Sequence, residues 1–191
     1  MSGRPDRVLA RKADRPFDNQ AGMSKQAGKG VQELIRLRPF KRADERLLKS
    51  WVRDQATVDL WRPARFSYPL TDQQLERYFD EFDEDERAWI MAALDDEGRM
   101  IGHFCMRLAD YAEDTIRLGY IILDPDTRGK GCGYEMIGQA LRYAREILGV
   151  KCVTLGVWAD NLPARRCYER LGFSEVGRSE EDGRIYIEME A

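Results

Sequence analysis

The sequence holds one histidine, His103, and four cysteines, Cys105, Cys132, Cys152 and Cys167, with no C-x-x-C pair among them. A structural zinc site needs four Cys/His ligands, usually in short-spaced pairs, so no metal site is expected. Four widely spaced cysteines in 191 residues do not make a disulfide scaffold either. Reduced thiols in a cytoplasmic protein are the expectation. No apolar run approaches the ~20 residues of a membrane-spanning helix, so no membrane partner is expected. Charge of one sign is also lacking, with 31 Lys and Arg against 34 Asp and Glu. That balance gives no global field for nucleic acid or anionic lipid. What the chain does have is 43% hydrophobic and 10% aromatic residues, which excludes a wholly disordered polymer.

Residues 1–30 differ from the rest. They carry seven basic residues against three acidic ones, and only Val8, Leu9 and Phe17 are large and apolar before Met23. The segment reads as a disordered basic N-terminal tail. It has no apolar h-region and is not a secretory signal, and its three Asp residues argue against a transit peptide. Met23, followed by Ser24-Lys25, offers a second reading as the start of the protein. Residues 31–191 read as one domain with 24 basic and 31 acidic residues.

Periodicity organises that domain. Leu34 to Pro39 alternates as a half-buried strand, and residues 43–54 place Leu47, Leu48, Trp51 and Val52 at helical spacing. A loop-rich stretch with Trp61, Pro63, Phe66, Tyr68 and Pro69 follows. Thr71 reads as the N-cap of a helix reaching Phe82, with Gln74 in the capping-box position. Ala88 to Leu94 and Arg99 to Leu108 form a hairpin, and Thr115 to Leu123 is a further strand stopped by Pro125. A Gly-rich loop leads into a helix from Gly131 to Leu148. A strand over 150–158, a short helix over 162–171, and strands over 173–176 and 184–189 close the chain. The order predicts an α/β (α+β) fold: a mixed, mostly antiparallel sheet of about seven strands with helices on both faces.

The strongest chemical signal lies between a strand and a helix: Asp126-Thr127-Arg128-Gly129-Lys130-Gly131-Cys132-Gly133. Glycines let backbone approach a ligand closely, and the helix start behind them offers unpaired N–H groups and a positive dipole end. Together they make an anion site suited to phosphate. A P-loop would need Ser or Thr after Lys130, and a dinucleotide fingerprint would need glycine where Tyr134 stands. The pattern [RQ]-x-x-G-x-[GA], whose ligand is the pyrophosphate of coenzyme A, is met in full by Arg128, Gly131 and Gly133. A second segment runs from Asn161 through Tyr168 to Gly172-Phe173. Asn161 and Tyr168 are seven residues apart, about two helical turns, and share one side of the helix. Taken alone they read as a cap and a core aromatic, but the segment follows the phosphate loop by one helix and one strand.

On RGKGCG (128–133) and N-x6-Y-x3-GF (161–173), the chain resembles the GNAT N-acyltransferases over nearly all of residues 34–189. The opening IRLRPFKRADE and the YPLT segment at 68–71 are similar to the branch with ribosomal-protein N-terminal and spermidine acetyltransferases. The resemblance implies that the strands over 115–123 and 150–158 are parallel and splay apart. It implies acetyl-CoA as co-substrate, with pantetheine along the backbone of Ile121, Ile122 and Leu123. The pyrophosphate would lie on Arg128, Gly129, Lys130, Gly131, Cys132 and Gly133, with Tyr134 completing the helix start and Asn161 bonding the cofactor. Tyr168 would set its hydroxyl near the thioester sulfur as the catalytic residue, and an acceptor amine would attack the acetyl carbonyl directly.

The chemistry such a transfer needs can be stated independently. A developing oxyanion needs a donor, which a backbone N–H at a splayed strand end supplies. A departing thiolate needs a proton, which a tyrosine hydroxyl can give. An alkyl amine with a pKa near ~10 must lose a proton before it attacks. Here the sequence departs from the family. Many relatives carry a glutamate on the strand where this chain has Ile116 and Arg117. Glu113, Asp114 and His103 are the nearby alternatives, His103 competing with its reading as a sheet histidine. An acyl-cysteine on Cys132 or Cys167 lacks a nearby histidine in sequence. The acceptor site implied by the family spans about 51–80 and 173–187, where Trp61, Phe66 and Tyr68 can line a pocket. Six acids in residues 80–86 read as a solvated helix end or as a funnel for a cationic acceptor. The function implied is acetyl transfer to a primary amine of a small molecule or peptide by a monomer or homodimer. The alternatives are another acyl-CoA donor or a CoA-binding sensor without turnover.

Overall fold

The computed structural model describes residues 35–61, 65–110 and 114–191. The basic tail, Leu34, Pro63 and Glu113 lie outside them. Seven strands form one sheet in the order β1-β2-β3-β4-β5-β7-β6. They are β1 (Arg36–Pro39), β2 (Ala88–Leu94), β3 (Met100–Asp110), β4 (Thr115–Leu123), β5 (Cys152–Trp158), β6 (Ser174–Glu181) and β7 (Arg184–Glu190). Every neighbouring pair is antiparallel except β4 and β5. The helices are α1 (Glu45–Trp51), α2 (Gln55–Trp61), α3 (Asp72–Asp83), α4 (Cys132–Arg142) and α5 (Leu162–Arg170). No helix among the described residues is long and apolar enough to cross a membrane.

Alternation along the strands divides the core between the two faces. Ile116 and Leu118 of β4, with Val153, Leu155 and Val157 of β5, pack against Met136, Ile137 and Ala140 of α4 and Tyr168 of α5. On the other face, Leu48, Trp51, Val58, Leu75, Tyr78 and Phe79 from α1 to α3 cover Ala92, Cys105 and Ile122. Burying such apolar surface stabilises by roughly 25 cal/mol per Å².

Three local readings are refined. The helix expected over 43–54 ends at Trp51, and α2 occupies part of the stretch read as loop. The Asp54 carboxylate accepts the Thr57 amide at 2.7 Å and starts α2. Thr71 caps α3 as expected, accepting the Gln74 amide at 3.3 Å. The Gln74 side chain instead accepts from the Ser67 amide at 2.7 Å and donates to the Pro69 carbonyl at 3.2 Å. It pins the preceding loop rather than closing a capping box. Finally, β6 runs on to Glu181, because an edge strand paired on one side with β7 needs no apolar alternation.

Candidate active site

β4 and β5 pair from Thr115 opposite Cys152 to Leu118 opposite Leu155, and there the pairing stops. β5 stays bound to β7 as far as Trp158, so β4 is the strand that leaves. The cause is local. His103 pairs with Ile122 and Cys105 with Gly119, so Tyr120 and Ile121 both oppose Phe104. That is a β-bulge, and Tyr120 takes a φ of 51°, a left-handed conformation uncommon for a side chain of its size. The gap is a cavity of about 490 Å³ lined by Ile121, Gly156, Asn161, Tyr168 and Tyr186, among others.

Of the expected site residues, Ile121, Asn161 and Tyr168 meet in this cavity. Asn161 is also the N-cap of α5, its side-chain oxygen accepting the Ala164 amide at 3.3 Å. Tyr168 is also a core aromatic, packed edge-on against Phe173 at 5.9 Å. The cap and core-aromatic readings therefore hold, and both residues also line the cavity. Burial raises the Tyr168 phenol above its ordinary pKa, with Cys167 and Tyr186 adding to the effect, so it stays protonated at neutral pH. Ile122 turns its side chain into the core on the α1 to α3 face and pairs with His103 on β3.

The glycine loop continues from the far end of β4. Pro125 to Thr127 form a single 3-10 turn, and Gly129 and Gly131 follow with φ of 76° and 92°. A Cβ built on either would meet nothing within 4 Å, so both face open space. The first helical bond of α4 runs from the Glu135 amide to the Gly131 carbonyl at 3.2 Å. The amides of Gly133 and Tyr134 thus point out of the helix start. Arg128 folds back to donate to the Leu123 carbonyl at 3.1 and 3.3 Å, which ties the loop to the strand end. The Arg170 guanidinium lies 4.8 Å above the Tyr134 ring. Cys132 is buried with its thiol in the core, so its contribution to a ligand site is backbone.

The other candidates resolve as follows. His103 is fully buried on the α1 to α3 face, its Nε2 3.0 Å from the Tyr78 hydroxyl and its ring beside Phe40 and Trp61. Asp114 pairs with Lys151 at 2.9 Å at the opposite end of β4. Burial pushes the Cys167 thiol up, against the demands of a nucleophile. Much of the acidic run is answered by arginines. Arg42 holds Asp80 and Asp83, Arg65 and Arg107 share Glu81, and Arg87 and Arg107 reach Asp85. Where the family resemblance implies a glutamate near Ile116 and Arg117, Ile116 is buried in the core and Arg117 makes a two-pronged bond to Glu188 at 2.7 and 2.9 Å. Burial opposes the Arg117 charge, and Glu188 more than offsets it, leaving the pKa raised.

A seven-stranded mixed sheet, one parallel pair parted by a bulge, and a glycine-lined helix start at the bulged strand's end define an acyl-CoA-type transferase fold. The family model of the GNAT acetyltransferase domain matches residues 35–174, and the chain belongs to that family. It is similar to the mycothiol acetyltransferase of Nocardiopsis dassonvillei, 32% identical over 149 residues, which covers 75% of this chain and 44% of that protein. The mycothiol acetyltransferase of Actinosynnema mirum is 32% identical over 124 residues, 64% of this chain and 39% of that protein. The chain therefore spans less than half the length of these curated relatives. Its fold is shared with the spermidine N-acetyltransferase of Vibrio cholerae solved in complex with CoA and spermine. That structure has a TM-score of 0.72 at 24% identity, covering 83% of this chain and 95% of that one.

Proposed function

We propose that the chain is an acetyl-CoA-dependent N-acetyltransferase that moves an acetyl group directly to a primary amine. The observation that carries this reading is the parting of β4 and β5 beyond Leu118 and Leu155. It opens a cavity with Ile121 on one strand and Asn161 and Tyr168 beyond the other. The names of the relatives support it, since each states acetyl transfer, and the Vibrio cholerae protein was solved with CoA.

The residues present fit coenzyme A. Gly129 and Gly131 leave a cradle that a side chain would fill, beside the outward amides of α4. Arg128, Gly129, Lys130, Gly131, Cys132, Gly133 and Tyr134 would hold the pyrophosphate there. The backbone of Ile121, Ile122 and Leu123, past the last pairing with β5, would hold the pantetheine, and Asn161 would bond it from the opposite wall. The bound group supplies an activated acetyl thioester. The Ile121 amide, turned by the bulge, offers a donor where negative charge develops on the acetyl oxygen. Tyr168 keeps its proton until the thiolate leaves and then gives it up. Neither Cys132 nor Cys167 offers an accessible thiolate, which favours direct attack by the amine.

The test is CoA release from acetyl-CoA over spermidine, aminoglycosides, amino acids and peptides with free N-termini, read by mass. Turnover with one class establishes the enzyme and names the acceptor. CoA binding without turnover favours the sensor reading, and no binding overturns the proposal. Gly131→Val is expected to weaken acetyl-CoA binding at least ~10-fold, because a φ of 92° disfavours any side chain and the space it would enter is the cradle. The readout is the thermal shift: at ligand about 100 times Kd the parent gains ~2.7 kcal/mol, and the variant should lose about half of it or more. Equal shifts would move the cofactor elsewhere.

A further inference from the structure

Gly156 is the first residue of β5 past the point where β4 leaves it. It pairs with Glu188 on β7 and faces away from α4 and α5, as Arg117 does on β4. It is not among the glycines of positive φ, so what it provides is space. A Cβ at Gly156 would stand 2.1 Å from the Tyr186 hydroxyl oxygen and 2.3 and 2.5 Å from two carbons of its ring. Tyr186 thus lies diagonally across β5 at the mouth of the splay. Its ring meets Trp158 edge-on at 5.0 Å between centroids. Arg117, fixed by both oxygens of Glu188, lies beside Tyr186 on the same cavity wall. Tyr186 lines the same cavity as Ile121, Asn161 and Tyr168.

We propose that Tyr186 is a second catalytic residue: its hydroxyl, carried over Gly156 into the cavity, binds the acceptor nitrogen and takes its proton. This rests on the N-acetyltransferase reading above. It assigns the acceptor-side proton transfer to this chain's own residues, where the family resemblance implies a glutamate and Ile116 and Arg117 stand instead. The balance closes. The ammonium gives one proton to Tyr186 as Tyr186 passes its own to solvent. The neutral nitrogen forms the N–C bond, the C–S bond breaks, and the thiolate takes the Tyr168 proton. The second nitrogen proton then restores Tyr168. Among the described residues, the charged and titratable groups sharing the cavity with Tyr186 are Arg117 and Tyr120 from β4, Cys105 and Arg107 from β3, Glu81 from α3 with Arg65 ahead of that helix, Tyr168 from α5, Glu181 at the end of β6 and Asp182 in the turn after it, with Glu188 and Arg184 on its own strand face. Arg184 is engaged by Asp160 at 2.9 Å.

The experiment compares the parent with Tyr186→Phe, Gly156→Ala and the double variant, at saturating acetyl-CoA. The acceptors are ethylamine, as the smallest primary amine, and the panel amine turned over fastest. Tyr186→Phe keeps the ring on Trp158 and should lower kcat/KM for the amine ~10²-fold at neutral pH. The deficit should shrink as pH approaches the amine pKa of ~10, where neutral amine is already present. A merely structural loss would not follow pH in that way. Gly156→Ala displaces the hydroxyl and should reproduce the loss while adding little to Tyr186→Phe. The thermal shift with acetyl-CoA should stay unchanged in Tyr186→Phe. A parent that transfers acetyl while Tyr186→Phe keeps its rate, or loses it equally at every pH, overturns Tyr186 alone. A parent that shows no transfer to any amine overturns the enzyme reading and this inference with it.

Discussion

Tyr168→Phe is expected to lower the turnover of acetyl transfer by ~10²–10⁴-fold, the range of a positioned general acid, with acetyl-CoA affinity within about twofold of the parent. The hydroxyl is the only atom removed. The ring keeps its place against Phe173 and its share of the core, so folding is not at stake. Burial raises the phenol pKa, which keeps the proton on Tyr168 at neutral pH until a basic thiolate forms beside it. A thiolate leaving without that proton is the barrier the variant must face. The loss should therefore fall on kcat and kcat/KM together, the mark of an interaction made only in the transition state. A rate equal to the parent's would remove Tyr168 from the mechanism and return it to its place as a core aromatic.

The parts of this site that repeat along the chain were legible in the sequence. Glycines at 129, 131 and 133 signal a loop and helix start by themselves, and strand alternation over 115–123 and 150–158 places them at a sheet's end. Asn161 and Tyr168 were legible through one helix's periodicity. The rest depends on register, which a linear pattern does not carry. That Gly156 lies opposite Glu188, and that Arg117 crosses β5 to reach it, follows only from how β4, β5 and β7 align. Tyr186 was marked only by its place in the last strand, within the 173–187 segment that the resemblance gives to the acceptor site. The acidic run was ambiguous for the same reason. Its arginine partners Arg42, Arg65 and Arg107 come from three separate places in the chain. For α2, a signal was present in Asp54 ahead of Thr57, but the adjoining aromatic and proline residues outweighed it.

The single histidine should give this protein an acid sensitivity that one residue accounts for. Burial among Phe40, Trp61 and Tyr78 holds the His103 imidazole down to about 3, the Asp44 carboxylate offsetting only part of the shift. In the unfolded chain it returns to the ordinary value near 6.5. Below that pH the unfolded state binds a proton that the native state refuses. Stability is then fully present above pH 6.5 and falls as pH drops toward the folded value. The slope approaches ~1.4 kcal/mol per pH unit, or about 2 kcal/mol lost between pH 6.5 and 5. Carboxylates near their ordinary pKa of ~4 stay ionised over that interval and add little to the slope. Urea unfolding at pH 7.5, 6.0 and 5.0 measures it directly. His103→Gln can keep a polar partner for the Tyr78 hydroxyl and removes the titration, so its stability should be flat over the same range even if lower throughout. A parent equally stable at pH 5.0 and 7.5 would mean that the imidazole takes its proton inside the fold. His103 would then have access to a base or to water, and its exclusion from the catalytic machinery would fall with that result.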